Sequence, residues 1–202
     1  MKGRSRKQKG KKFEDKIAKL IYERYLKYIP EYRNFLSTID NKKVKQIFLP
    51  NRDFASGSSN RLKGDIDLSI GFKYFPFLIE CKKWKKLDYK LHRLLSLRDE
   101  NEFLKIELGK IFYDTKLKAE EFGLKPMVVF EYDYGVPLCL CRVGDIKEEV
   151  KTNIKTKLEL LNNYLILDFV MVLDAFKKLL SNMDINMYEK SNNSSSRDNN
   201  NK

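Results

Sequence analysis

Residues 64–86 read GDIDLSIGFKYFPFLIECKKWKK, and this stretch determines the fold that we expect. Residues 65–70 alternate between polar and apolar side chains, which is typical of a half-buried strand. Residues 75–79 are apolar at consecutive positions, which is typical of a strand buried on both faces. This second strand runs directly into Glu80 and then Lys82. Because an uncompensated buried charge is strongly destabilising, an acid and a base at the end of a core strand need an explanation.

An antiparallel hairpin of these two segments would bring carboxylates together. Its turn would lie between residues 71 and 76, and its register could place either Asp65 or Asp67 opposite Glu80. Either register puts two carboxylates about 4.5–5.5 Å apart between their Cβ atoms. Lys82 projects from the same face as Glu80, because strand side chains alternate with a period of two.

Two acids and a lysine in this arrangement are suited to phosphodiester chemistry. Close carboxylates repel each other unless a cation lies between them, and Mg²⁺ binds through one or two carboxylates while accepting phosphate oxygens. A nearby lysine can orient or help to deprotonate an attacking water and can offset charge on a phosphate. The alternative is a surface ion pair between Glu80 and Lys82, worth about 0–1 kcal/mol.

The composition predicts a polyanionic partner. The 202 residues include 41 Lys and Arg against 28 Asp and Glu, a net charge of +13, with 42% hydrophobic residues for a core. No apolar run approaches the roughly 20 residues that span a bilayer, and no apolar segment follows the basic N-terminus. We therefore expect a cytoplasmic protein that is neither secreted nor membrane-bound. The presence of three Cys and one His argues against a structural zinc site.

The pattern along the chain predicts an α/β domain, a mixed sheet flanked by helices. We expect residues 1–12 to form a basic flexible arm, residues 13–186 a folded domain and residues 187–202 a low-complexity disordered tail. The expected elements are a helix from Phe13 to Pro30, a strand at 43–50, a loop at 51–64, the hairpin, a helix at 103–122 that stops at Gly123, strands at 126–133 and 137–143, a helical region at 145–162, a strand at 164–173 and a final helix capped by Asp174.

Gly64-Asp65, followed after 15 residues by Glu80-Cys81-Lys82, resembles the motif of the PD-(D/E)XK nuclease superfamily, with Gly64 in place of the motif's proline. Other features are similar to its Holliday-junction resolvase-like branch in archaea and phages. Gly10-Lys-Lys-Phe13-Glu14 corresponds to a G-x-x-F-E helix start, a Gly- and Ser-rich loop at 55–59 precedes Asp65, and a later helix is followed by KPMVVF. The resemblance covers roughly residues 10–143 and, more weakly, the block around residues 165–180, so the folded domain expected at 13–186 would be PD-(D/E)XK nuclease-like.

The resemblance implies a restriction-endonuclease-like fold and a catalytic set of Glu14, Asp65, Glu80 and Lys82. Asp65, Glu80 and Glu14 would hold Mg²⁺, with Mn²⁺ as a substitute. An acid such as Glu14 near a helix start also has a purely structural explanation, because it interacts favourably with the helix dipole. The chain departs from the family pattern in a longer gap between Glu14 and Asp65, an apparent insertion at 87–101 and the competing acid Asp67.

Several further side chains are candidates for DNA contact. The arm offers phosphate-binding cations, and aromatic or hydroxyl side chains near the motif can contact bases or phosphates. Trp84 has the alternative of packing over a neighbouring helix, and the serines that of being ordinary loop residues. The nucleic-acid-binding candidates are Lys7, Lys9, Lys11, Lys12, Ser56, Ser58, Lys83, Trp84 and Lys85.

The function expected from these features is that of a Mg²⁺-dependent DNA endonuclease. The expected substrate is a Holliday junction or other branched DNA, and the expected active unit is a homodimer. The alternatives are a nicking, restriction-like or repair endonuclease of the same fold, and a non-catalytic nucleic-acid-binding protein in which the acids are structural.

Overall fold

The computed structural model describes residues 2–29, 51–52, 65–67, 75–84, 94, 96–132, 135–146, 151, 154 and 157–179, with the side chains of 2–9, 51–52, 67, 132 and 157 outside the description. Within these ranges the elements follow one another as helix, short strands, core strand, helix pair, four strands and a last helix. Their bounds are α1 Lys2–Arg24, a 3₁₀ turn Leu26–Tyr28, β1 Asn51–Arg52, β2 Ile66–Asp67, β3 Phe77–Trp84, α2 Glu100–Lys105, α3 Glu107–Glu121, β4 Lys125–Tyr132, β5 Leu138–Arg142, a 3₁₀ turn Val143–Asp145, β6 Lys157–Leu160, β7 Tyr164–Asp168 and α4 at 169–179.

The main sheet has five strands in the order β3-β4-β5-β7-β6. Strands β3 and β4 are parallel and joined through α2 and α3, whereas the β4–β5, β5–β7 and β6–β7 pairs are antiparallel. This mixed sheet with flanking helices confirms the α/β, restriction-endonuclease-like fold. It also confirms the predicted strands around residues 77–82, 126–133 and 137–143.

Helices cover both faces of this sheet, which explains why its strands are apolar at consecutive positions. One face, formed in β3 by Phe77, Ile79 and Cys81, packs with α1 and α4 into one buried cluster. The other face, which includes Val128 and Phe130 of β4, packs with α2 and α3 into a second cluster. Strand β3 therefore holds its terminal polar residues on a backbone that is fixed from two sides.

The predicted hairpin is described only at its two ends. Asp65 donates its backbone N–H to the carbonyl oxygen of Ile79 at 2.9 Å, so the chain at Asp65 lies along the outer edge of β3. The two residues after Asp65, Ile66 and Asp67 of β2, form an antiparallel ladder with Asn51 and Arg52 of β1. The prediction that residues 51–64 are all loop was therefore wrong at Asn51–Arg52, because a two-residue ladder leaves no periodicity in the sequence.

The first helix begins earlier and ends earlier than predicted. The helix starts at Lys2 and not at Phe13, so residues 2–12 are helical. Lysine and arginine are good helix formers, and the lack of an apolar stripe in this segment concealed the helix. At the other end, α1 gives way at Tyr25 to a 3₁₀ turn before Pro30. The division into arm, domain and tail stays a prediction.

The helix predicted at 103–122 is two helices with a break at Ile106. Asp99 caps α2 by accepting a hydrogen bond from Glu102 N at 2.8 Å. Gly109 lies so close to the preceding turn that an added Cβ would be 1.9 Å from the carbonyl oxygen of Phe103. The predicted stop at Gly123 is confirmed, with a φ of +63° that favours glycine after a helix.

The C-terminal part departs from the prediction in two places. Residues 157–160 form the edge strand β6 and not a helix, because their backbone pairs with β7. The strand predicted at 164–173 ends at Asp168, where α4 begins. Asp168 Oδ1 accepts hydrogen bonds from Val170 N and Met171 N at 2.8 and 3.1 Å, so Asp168 is the helix cap and not Asp174. Asp174 instead pairs with Arg24 of α1 at 3.2 Å.

Some predictions fall outside the described residues: the strand at 43–50, Ser56, Ser58, the turn at 71–74, Lys85 and the tail at 187–202. Among the helices that the structure describes, none is both long and apolar enough to cross a lipid bilayer.

Candidate active site

Asp65 is fixed against the outer edge of β3. Its backbone N–H bonds to Ile79, and its Oδ2 accepts a hydrogen bond from the backbone N–H of Cys81 at 2.7 Å. Asp65 is buried, with 8% of its surface exposed. Burial, followed by the negative charge of Glu80, raises the pKa of Asp65 to about 6 from an ordinary 3.8, although the Cys81 hydrogen bond acts in the opposite direction. The carboxyl group is thus rigidly placed and poorly solvated.

Glu80 and Lys82 form an ion pair next to Asp65. The Nζ of Lys82 donates a hydrogen bond to Glu80 Oε1 at 2.6 Å; the side chain of Lys82 is 36% exposed and that of Glu80 is 15% exposed. Burial alone would lower the pKa of Lys82, but the Glu80 carboxylate and, more weakly, Asp65 raise it above its usual value. Lys82 is therefore an ammonium ion at neutral pH. In this state it can donate hydrogen bonds and stabilise negative charge.

Glu14 of α1 belongs to the same electrostatic neighbourhood. Its negative charge raises the pKa of both Asp65 and Cys81, which requires that it lie near them. Three elements therefore converge: α1 brings Glu14, the segment before β2 brings Asp65, and β3 brings Glu80 and Lys82. The predicted catalytic residues are together in space. Whether they catalyse a reaction stays a prediction.

The carboxylates have the donor chemistry that a divalent hard cation requires. Asp65 carries an unfavourable charge next to Glu80, and a cation between them would remove the repulsion that raises the pKa of Asp65. Among the described residues, no three His, Cys, Asp or Glu side chains are already arranged around one point where a metal could bind. Two protein carboxylates, with the rest of the shell left to water and phosphate oxygens, fit Mg²⁺ better than a closed protein cage.

Cys81 lies between the two charged residues of β3 but offers no reactive thiolate. It is 5% exposed, and burial followed by the charges of Asp65 and Glu14 raises the pKa of its thiol well above the ordinary value. Its contribution to the site is its backbone N–H, which holds Asp65. A small apolar side chain at this position packs into the α1 face of the core.

Two predicted DNA-contact residues on β3 make contacts within the protein. Trp84 donates from Nε1 to Glu107 Oε1 at 2.8 Å, and its ring centroid lies 5.8 Å from that of Phe130. This is the packing over a helix that was the alternative for Trp84. Lys83 pairs with Glu131 at 2.8 Å. In the N-terminal segment, Lys11 and Lys12 are exposed on α1; Lys7 and Lys9 are helical, and their side chains lie outside the description.

Sequence reasoning missed a second charged cluster beside β3. Glu131 of β4 is buried and accepts hydrogen bonds from Lys83 of β3 and from Lys16 of α1. The signal was present in PMVVFEYD, where Glu131 interrupts an apolar strand just as Glu80 does in β3. Its partner Lys16 is 115 residues away in sequence, and no local pattern indicates that contact.

Comparison with known families identifies a matching family. Residues 5–190 match the model of a family described as "Phage putative PDDEXK endonuclease". The chain belongs to this family. It is therefore a member of the PD-(D/E)XK nuclease superfamily, as its motif predicted, and the matched range contains Glu14, Asp65, Glu80 and Lys82. Nucleases of the superfamily generally use divalent metal ions. No curated protein and no solved structure matches the chain significantly.

Proposed function

We propose that this PD-(D/E)XK family member is a Mg²⁺-dependent DNA endonuclease whose site consists of Asp65, Glu80, Glu14 and Lys82. The observation that supports this best is the position of Asp65: its carboxylate is anchored on Cys81 N, directly beside the Glu80–Lys82 ion pair. A surface ion pair at a strand end does not account for a second, buried acid beside it. A metal-binding site does, because a cation between the two carboxylates would remove their repulsion.

The chain's own residues divide the work of hydrolysis between them. Asp65 and Glu80 would hold the divalent ion, with Glu14 as the third acid, directly or through a water molecule. When bound, such an ion offsets phosphate charge and makes a bound water more acidic. Lys82, kept protonated by its acidic neighbours, places a positive charge where a nonbridging phosphate oxygen gains charge in the transition state. Glu80 fixes the direction of that ammonium group through the 2.6 Å contact.

The proposed substrate is a four-way or otherwise branched DNA. The net charge of +13 favours a partner with several closely spaced phosphates, and a junction presents four duplex arms. The G-x-x-F-E start at Gly10 and the Ser-rich loop at 55–59 are the sequence features that support the resolvase-like branch. A homodimer is the proposed active unit.

The test is incubation of the purified chain with labelled linear, nicked and four-way DNA of the same sequence, with Mg²⁺, with Mn²⁺ and with EDTA. We expect cleavage with either metal, none in EDTA, and faster cleavage of the four-way substrate. Equal cleavage of linear duplex would favour a nicking, restriction-like or repair endonuclease. Binding without cleavage under any metal condition would favour the non-catalytic alternative and contradict the proposal.

A further inference from the structure

A buried carboxylate that the proposed chemistry does not use holds two lysines side by side. The side chain of Glu131 is 5% exposed, and each of its oxygens accepts a hydrogen bond from a different lysine: Oε1 from Lys83 at 2.8 Å, and Oε2 from Lys16. Burial alone would raise the pKa of Glu131, but the hydrogen bonds from Lys16 and Lys83 lower it below its usual value. The carboxylate is therefore ionised at neutral pH.

The two ammonium groups exceed what Glu131 needs for charge compensation. One lysine would neutralise the buried carboxylate, and a second brings an additional positive charge close to the first. Both lysines remain accessible, with side chains 46% exposed for Lys16 and 26% for Lys83. Each ammonium has three donors and uses one on Glu131, so both keep donors that can face solvent. The cluster is a preorganised pair of cations with a net positive charge.

The cluster lies next to the proposed site, on its α1 side. Lys83 directly follows Lys82 on β3, and alternation along the strand directs it toward the face that Cys81 shares with α1. Lys16 follows Glu14 by two residues on α1. Lys82 and Lys83 project from opposite faces of β3 close to its C-terminal end. A DNA strand that passes this end of β3 with one phosphodiester at Lys82 can therefore reach these two lysines with another phosphate.

We propose that Lys16 and Lys83 together bind one backbone phosphate of the DNA other than the cleaved phosphodiester, and that Glu131 is the positioning residue that sets their spacing. A carboxylate presents two oxygens to the two ammonium groups, and a phosphate likewise has two nonbridging oxygens to present from the opposite side. Rigidly placed cations lose less conformational entropy on binding than free lysines do. This inference rests on the proposed DNA endonuclease function.

Glu131→Gln separates positioning from bulk electrostatics, because the two predict opposite signs. The variant has one more net positive charge, so a purely electrostatic account predicts tighter DNA binding and a salt dependence that is at least as steep. If Glu131 positions the lysines, binding weakens in spite of the added charge. The measurement is fluorescence anisotropy with a short duplex in EDTA, where no cleavage occurs, over a series of salt concentrations.

The lysines are tested individually in the same assay. We expect Lys16→Ala and Lys83→Ala each to weaken binding roughly tenfold at low salt. The affinity of the double variant should fall by less than the product of the two single-variant factors, because both lysines contact the same phosphate. The slope of log Kd against log salt concentration should be smaller by about 0.9 in the double variant, as expected for loss of one phosphate contact. The matched control is Lys19→Ala on the same helix: Lys19 is 73% exposed and pairs only loosely with Glu23, at 3.6 Å. Lys16→Arg and Lys83→Arg should retain most of the affinity.

Any of three results would overturn the inference. The first is a loss of DNA affinity in Lys16→Ala and Lys83→Ala that is no larger than in Lys19→Ala, and the second is a double variant whose loss equals the product of the two single losses. The third is DNA binding by Glu131→Gln that is as tight as or tighter than that of the wild type. Thermal unfolding of each variant identifies any that is misfolded, and the lysine variants decide the matter if Glu131→Gln does not fold. Failure of the proposed function is seen separately, since it would appear as wild-type protein that binds DNA but does not cleave it with Mg²⁺.

Discussion

The Asp65 carboxyl group carries a cost in folding when no metal is bound. Burial and the neighbouring Glu80 raise its pKa to about 6 in the folded chain, compared with 3.8 ordinarily. Between these values the folded state binds a proton that the unfolded state has released, so stability falls as pH rises. The stabilisation of the folded state that comes from the protonated Asp65 carboxyl group is fully present below about pH 3.8 and is lost once the pH has passed about 6.

This sign gives the first prediction. In EDTA, the free energy of unfolding of the wild type relative to Asp65→Asn should decrease as pH rises from about 4 to about 6 and then level off. At pH 7.5 the asparagine variant should be at least as stable as the wild type. Urea denaturation at a series of pH values measures the difference, and Asp15→Asn, which removes an exposed acid from α1, is the control. A wild-type advantage that grows with pH would contradict the assignment.

The second prediction concerns cleavage. Asp65→Asn, Glu80→Gln and Lys82→Ala should each reduce cleavage by a factor of 100 or more, in the range of about 10²–10³ typical for loss of one electrostatic catalytic contact. Asp65→Asn and Glu80→Gln should leave DNA affinity unchanged or higher, because each removes a negative charge near phosphate. Cleavage rates at saturating Mg²⁺, together with Kd in EDTA, check both statements. Asp67→Asn is the control for the choice of aspartate, and full activity of the Glu80 or Lys82 variant would end the assignment.

Sequence alone could indicate which candidate residues lie on one face of β3, but not the contacts that hold them in place. Alternation along β3 places Glu80 and Lys82 on one face, and that information is local to the sequence. The 2.7 Å hydrogen bond from Cys81 N to Asp65 Oδ2 can form only because β3 is an edge strand whose backbone N–H at Cys81 is not paired with another strand of the main sheet. The position of β3 at that edge follows from the folded chain and not from local sequence. The Lys16–Glu131 contact joins residues 115 positions apart and has no local signature.

At the scale of elements, the junction between α2 and α3 depends on one glycine. Gly109 approaches Phe103 so closely that a Cβ would lie 1.9 Å from its carbonyl oxygen, a backbone atom that cannot move without shifting the helix. We expect Gly109→Ala to destabilise the protein by about 1–3 kcal/mol, as overpacking does, despite the better helix propensity of alanine. Gly144→Ala is the matched control, since nothing lies within 4 Å of its added Cβ. Urea denaturation compares the two, and equal stability would contradict this account.

Helices and strands could be predicted from the sequence where burial of apolar side chains determines them. They could not be predicted where strand pairing or helix capping determines them. The apolar runs of β3, β4 and β5 identify buried strands. Residues 164–173 form one apolar run that is divided by Asp168 into a strand and a helix, and the choice depends on whether Asp168 or Asp174 caps the helix. Both aspartates precede apolar residues, so local sequence does not separate them. Strand β6 forms because β7 offers it an edge.

At the scale of the whole molecule, the proposed site limits how many phosphodiesters one chain could cleave each time it binds DNA. The proposed catalytic cluster of Asp65, Glu80 and Lys82 would act on one phosphodiester at a time. Separation of a four-way junction into two duplexes needs two cuts in strands related by approximate two-fold symmetry. A two-fold homodimer would present matching sites to both strands.

The last prediction is therefore that active protein is dimeric and cuts four-way DNA in two opposed strands. Sedimentation at micromolar concentration should give about twice the mass of the 24.0 kDa chain, and end-labelling of all four strands should locate paired cuts symmetric about the branch point. Mixing wild-type chains with an excess of Glu80→Gln chains tests the coupling, because mixed dimers have one intact site and should leave nicked junctions in place of two duplexes. A monomer that nicks linear duplex as readily as a junction would contradict the resolvase proposal and favour a general endonuclease, while the proposed metal-binding residues would not be contradicted by that outcome.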